Sequence, residues 1–152
     1  MKNAKNESLD RFKEALMDYP CTHGSFRVRQ WSGASKSTPN LISVFYGKTE
    51  WVLYAKQDNN RYGWWGINRN QLQALRDSRQ KWYLILLDGS DGASYMLTEG
   101  DVDKGIDIFG WKGSETDYEV HPHEFVSYRR FATYDELFRA LLVEEGLGAA
   151  VG

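Results

Sequence analysis

Cysteine is close to absent from this chain of 152 residues: Cys21 stands alone. One thiol excludes an intrachain disulfide and a thiolate-rich zinc site, and it fits a reducing compartment, so the cytoplasm is the expected location. An excess of charge is missing as well. Lys and Arg total 19 against 21 Asp and Glu, a formal net charge of −2. No overall positive field exists to hold a polyanion, so any nucleic-acid site must be local. Long apolar runs are also lacking. No segment approaches the roughly 20 apolar residues of a membrane span, and Met1 to Glu7 is polar, without the apolar stretch of a signal peptide. Neither secretion nor membrane insertion is expected. There is no Gly-rich phosphate loop, nucleophile elbow or dinucleotide fingerprint, and no local signature of a Ser/His/Asp triad.

What is present is apolar and aromatic. Hydrophobic residues make up 41% and aromatic residues 14%, with six Trp, which is enough apolar surface to offset ordering entropy and argues against disorder. The length fits one domain with one core, spanning 1–152, with a small-residue tail over about 147–152 that is expected to fray. No internal repeat or dividing linker is visible.

The periodicity predicts an α+β fold. Leu9, Phe12, Leu16 and Met17 recur at helical spacing, giving a helix over about 7–18 that Tyr19-Pro20 ends. From Gly24 the period is two: Phe26 and Val28 alternate with Arg27 and Arg29 as a first strand before a Gly/Ser-rich turn over 32–38. Leu41 to Tyr46 and Trp51 to Lys56, separated by Gly47-Lys48-Thr49, read as a hairpin. After a turn at Asp58-Asn59-Asn60, Tyr62 to Ile67 reads as a short strand. Asn68 and Gln71 then open a helix carrying Leu72 and Leu75. Trp82 to Leu87 is continuously apolar, the pattern of a strand buried on both faces near the centre of a sheet, and 88–92 turns it back into Ser94 to Thr98. The stretch containing Ile106 to Trp111 is less regular. Thr133 and Glu136 form a capping box before a last helix over about 134–145, which Gly146 stops. The expected architecture is a mixed central sheet flanked by helices, an αβββαβ-like core with C-terminal strands and a helix.

That order, over residues 7–87, resembles the core of the PD-(D/E)xK restriction-endonuclease-like superfamily. Pro39-Asn40 opens the second strand and Tyr54-Ala55-Lys56 closes the third, where the family would place Pro-Asp and Asp/Glu-x-Lys. Pro39 and Lys56 match. In active members the carboxylates hold a divalent metal that polarises the phosphate and helps generate the attacking hydroxide, while the lysine stabilises developing charge. Asn40 is neutral and Tyr54 is a phenol with an ordinary pKa of about 10, so neither supplies the anionic oxygen magnesium needs. The resemblance is therefore to a degenerate member, and no catalytic residue, metal or cofactor is expected. Strand alternation puts Lys56, Tyr54 and Val52 on one face and Trp51, Leu53 and Ala55 on the other. A strand-end lysine held in solvent is the plain alternative for Lys56. Glu7 or Glu14, with Glu50 and Asp58, are the carboxylates that could rebuild a migrated acidic site.

The segment from Tyr62 to Arg69 is the most unusual, because consecutive residues in a strand point to opposite faces, so Trp64 and Trp65 cannot share one. If the outer face is uncovered, the outward ring sits near Arg61 and Arg69 as a stacking surface with cations for phosphates. If helices cover both faces, both rings are core. The candidate binding residues are thus Lys56, Arg61, Trp64, Trp65 and Arg69. Arg27, Arg29 and Trp31 share one strand face and would suit a phosphate backbone, or simply be solvated. Arg129-Arg130 is a short basic pair with no stronger reading. Cys21, His23, His121 and His123 have acceptable zinc-ligand types only if two distant loops meet. Residues 88–99 match a calcium-loop template at the first, third and twelfth positions, but Ala93 replaces its required glycine and the flanks are strands, so a hairpin turn is expected. The functional expectation is a non-catalytic nuclease-like domain binding nucleic acid or a partner. The rivals are a small protein-interaction or regulatory subunit and an active magnesium-dependent nuclease with migrated carboxylates.

Overall fold

Four strands buried on both faces set the architecture. Leu41–Tyr46 (β2), Thr49–Gln57 (β3), Trp82–Leu87 (β5) and Ser94–Thr98 (β6) alternate their side chains between two apolar clusters, so each face needs a cover. The computed structural model describes residues 4–20, 26–33, 38–57, 64–88, 92–121 and 129–146. The remaining elements are β1 (Arg27–Gln30), β4 (Trp65–Asn68), β7 (Lys112–Gly113), β8 (Asp117–Val120), β9 (Arg130–Phe131), α1 (Ala4–Asp18), α2 (Arg69–Ser78), α3 (Glu99–Asp107) and α4 (Tyr134–Glu144).

The main sheet is six-stranded and mixed, in the order β1-β2-β3-β5-β6-β9. β3 and β5 are parallel, which requires the crossover that β4 and α2 provide, and the other pairs are antiparallel. On one face, Leu9, Phe12 and Leu16 of α1 and Leu137, Phe138, Leu141 and Leu142 of α4 meet Ile42, Val44, Trp51, Leu53, Tyr83, Ile85 and Met96. On the other, Leu72 and Leu75 of α2, Val102 of α3 and the three-stranded sheet β4-β8-β7 cover Leu41, Val52, Tyr54, Trp82, Leu84, Leu86 and Leu97. The chain is a single α+β domain with a mixed sheet between helices, as the sequence predicts. Among the described residues, no helix is long and apolar enough to cross a membrane.

Local chemistry explains the boundaries. Gly47, at φ +61°, takes the first position of the two-residue β2–β3 turn, where a hairpin that matches strand twist needs positive φ. Asn68 caps α2, its Oδ1 accepting from the Gln71 N–H at 3.0 Å. Thr133 caps α4 through Glu136 N–H at 3.2 Å, but the Glu136 carboxylate reaches back to the Ala132 N–H at 3.0 Å, one residue earlier than the expected box. α1 begins about one turn before the predicted start.

Two features depart from the sequence reading. α3 occupies the start of the stretch read as irregular, and it opens on a complete capping box: Thr98 Oγ1 accepts from Asp101 N–H at 3.2 Å and Asp101 Oδ2 from Thr98 N–H at 3.0 Å. β4, read as one more strand before α2, leaves the main sheet and pairs antiparallel with β8, Trp65 opposite Val120 and Ile67 opposite Tyr118. Tyr62 and the predicted turn at 58–60 lie outside the described residues, as does the tail from 147.

Candidate functional site

The site suggested by the sequence lies at the carboxyl ends of the adjacent parallel strands β3 and β5. Lys56 stands at that end, opposite Leu86 in register, half-buried and on the face of Val52 and Tyr54, as alternation requires. Asn40 enters the same end from β2. Its side-chain amide donates to the Ala55 carbonyl at 2.7 Å and to Gln57 Oε1 at 3.2 Å, while its Oδ1 accepts from Thr38 Oγ1 at 3.2 Å. Asn40 is thus spent fastening β2 to β3.

Tyr54 is fully buried, and its Oη accepts the backbone N–H of Asn68 at 3.1 Å. Burial raises its pKa well above the ordinary phenol value; the Asn68 hydrogen bond opposes this and the charge of Asp117 adds to it. Asn68 also donates through Nδ2 to Asp117 Oδ1 at 3.3 Å. Tyr54, Asn68 and Asp117 therefore clamp the small sheet and α2 onto the main sheet. At positions 40 and 54 alike, a neutral side chain performs a structural task. Among the described residues, no group of three His, Cys, Asp or Glu could hold a metal ion.

The alternative carboxylates do not gather around Lys56. Glu7 and Glu14 ride on α1, which covers the opposite face of the sheet, and Glu7 pairs with Arg11 at 2.7 Å. Glu50 lies near the start of β3, about 20 Å along the strand from Lys56, and accepts from Gln80 Nε2 at 2.9 Å. Asp58 is outside the described residues.

The tryptophan pair divides as strand alternation demands. Trp65 is 1% exposed, packs edge-on against Tyr95 and donates its indole N–H to the Leu87 carbonyl at 3.0 Å. No base can stack on it, which removes Trp65 from the binding candidates. Trp64 is half-buried on the outer face of the small sheet, its ring above Gly66 and 6.5 Å from the His121 ring. The other five tryptophans, Trp31, Trp51, Trp65, Trp82 and Trp111, are all buried, so Trp64 alone offers an indole to solvent.

Arg69 lies beyond β4 from Trp64, about 16 Å along the backbone, with its guanidinium 4.0 Å from the centre of the Tyr118 ring. It does not flank Trp64 as the sequence reading pictured. Arg61 lies outside the described residues, as do Cys21, His23 and His123. His121 stands beside Glu119, Nε2 to Oε2 3.4 Å.

Arg27 and Arg29 are exposed on the edge strand β1 and share the face of Phe45. Trp31, read from sequence as their companion, is buried past the strand end and donates to Gln80 Oε1 at 2.7 Å. Of the second basic pair, Arg129 bonds Glu144 and Arg130 reaches Asp88 at 3.5 Å. Comparison of the chain with protein-family models, with characterised proteins and with solved structures finds no match in any of the three.

Proposed function

We propose that this chain is a nuclease-like domain without metal-dependent chemistry that binds nucleic acid at the carboxyl end of β3, using Trp64 as a stacking surface and Lys56 as a phosphate contact. The observation that carries this reading is the division of labour at that end. Asn40 and Tyr54, the positions where the resemblance would put carboxylates, are committed to holding elements together, while the one solvent-facing indole immediately precedes Trp65, whose N–H reaches the Leu87 carbonyl at the carboxyl end of β5. Base stacking on an aromatic ring contributes about 1–3 kcal/mol per base, and a lysine adds a salt-sensitive phosphate contact.

The test uses intrinsic fluorescence. Since five of the six indoles are buried, nucleic acid stacking on the protein should quench Trp64 and little else. Trp64→Phe should abolish most of the ligand-dependent quenching, and Trp64→Ala should weaken binding by about 5- to 150-fold. Binding that leaves Trp64 fluorescence unchanged would refute this placement.

One observation favours a second reading, a protein-interaction subunit. Ile108 is 71% exposed and Phe109 41% exposed in the turn after α3, with Val143 62% exposed on α4. Large apolar side chains in solvent are the usual anchors of protein interfaces. Self-association lost in an Ile108→Ser/Phe109→Ser variant would support it.

A further inference from the structure

β1 carries a second basic surface, at the opposite end of β2 from Asn40. Arg27 pairs with Phe45 beside the Gly47 turn, whereas Asn40 precedes the other end of β2. Val28 packs into the cluster beneath α1 and α4, so strand alternation sends both Arg27 and Arg29 to the other face. There the two guanidiniums lie over one ring, 5.9 Å and 4.8 Å from the centre of Phe45. A cation–π contact with the ring leaves their N–H donors unspent.

Among the described residues those donors meet no acceptor. Neither guanidinium makes a hydrogen bond or ion pair with any described residue. The carboxylate across the ladder from Phe45 is Glu50, which Gln80 already engages at 2.9 Å. Arg27, Val28, Arg29 and Phe45 line a shallow concavity open to solvent. In a chain of net charge −2, two arginines over one aromatic ring with no ion pair to a described residue are a local departure from the average.

We infer that the Arg27–Phe45–Arg29 face is a two-phosphate site for the backbone of a single-stranded nucleic acid, each guanidinium taking one phosphate through its donor fork. Residues two apart on a strand are about 6.6 Å apart, a spacing suited to successive phosphates of an extended strand. The guanidiniums lie over β2, inward from the edge. An acidic peptide added along the outer edge of β1 would sit a further strand spacing of about 4.8 Å from Phe45, so the geometry favours a ligand lying on the sheet face. A duplex needs a broader positive surface than two arginines. The inference rests on the nucleic-acid reading above and adds a contact separate from Trp64.

The experiment is anisotropy titration of a labelled single-stranded oligonucleotide between 50 and 200 mM salt. It compares the unaltered chain, Arg27→Gln/Arg29→Gln and Trp64→Phe, with thermal melting as a check on folding. Two phosphate contacts on a single strand contribute a slope of about −1.4 in log affinity against log salt, so the unaltered chain should lose about sevenfold more affinity over this range than the double variant. Polyglutamate at equal charge concentration should compete poorly. An unchanged slope in the double variant overturns the inference, and leaves the Trp64 reading standing if Trp64→Phe still removes the quench. Equal competition by polyglutamate overturns it in favour of an acidic peptide. Absence of binding by the unaltered chain overturns both.

Discussion

Removing one oxygen tests whether Tyr54 is a clamp. Tyr54→Phe preserves the ring among its neighbours and deletes only the acceptor that the Asn68 N–H meets at 3.1 Å. No cavity larger than a hydroxyl is created, so the cost comes from the hydrogen bond. A net contribution near 1 kcal/mol, plus part of the desolvation penalty of the orphaned N–H, predicts a loss of about 1–2 kcal/mol. For a domain of this size that lowers Tm by roughly 2–8 °C. The damage should spread in a defined direction, because Asn68 also caps α2 and bonds Asp117. Amide exchange should accelerate at Asn68 and Gln71 while the middle of β5 keeps its protection. Urea unfolding provides the free energy and hydrogen exchange the location. In a double-mutant cycle with Asn68→Ala, which removes the cap for about 1 kcal/mol by itself, the two changes should be coupled by at least about 0.5 kcal/mol. A stability change below about 0.5 kcal/mol, with exchange at Asn68 and Gln71 unaltered, would contradict the clamp and reopen position 54 as a site residue.

Two further outcomes follow from the packing and the titration of buried phenols. Gly105 lies under Trp111, and a Cβ there would fall 2.2 Å from the indole, so Gly105→Ala should destabilise by about 1–2 kcal/mol even though alanine favours helices. Gly100→Ala, whose Cβ meets only Thr98 Oγ1 at 3.7 Å, should be neutral or stabilising, and the opposite ranking in thermal melts would refute this packing. Tyr54 and Tyr83 have pKa values raised mainly by burial, with the Glu145 carboxylate adding at Tyr83. A raised folded pKa means their contribution is complete below the unfolded value near 10 and is lost as pH climbs above it, by up to about 1.4 kcal/mol per pH unit for each. Urea midpoints should therefore fall above pH 10, with two phenols silent in 295 nm absorbance until unfolding. Ionisation of every tyrosine near pH 10 in the folded chain would refute it.

Much of this fold is legible because local and tertiary signals agree. The unbroken apolar run of Trp82–Leu87 demands cover on both faces, and the α1/α4 and α2/α3 layers supply it. Asn68 and Thr133 mark their helices through side-chain caps that need no tertiary information. α3 is harder to see, since Val102 is its one buried large apolar residue and Gly100 and Gly105 lower its helix propensity. Its Thr98–Asp101 capping box was the available signal. The small sheet is illegible for another reason: β4 and β8 are far apart in sequence, and nothing local in either specifies the other. The candidate site inherits that limit. Alternation establishes that Trp64 and Trp65 face opposite ways, but the pairing of Trp65 with Val120 decides which one is buried. The same holds for Tyr54, whose phenol finds its partner in the turn into α2.

The most direct test of the central claim is titration of the purified chain with single- and double-stranded DNA and RNA at two salt concentrations, with and without magnesium, reading Trp64 quenching and strand integrity together. Salt-sensitive quenching, no requirement for magnesium and intact strands at the end of every titration are the expected results. Failure to bind any of these ligands, or magnesium-dependent cleavage that disappears in Lys56→Ala, would contradict the claim.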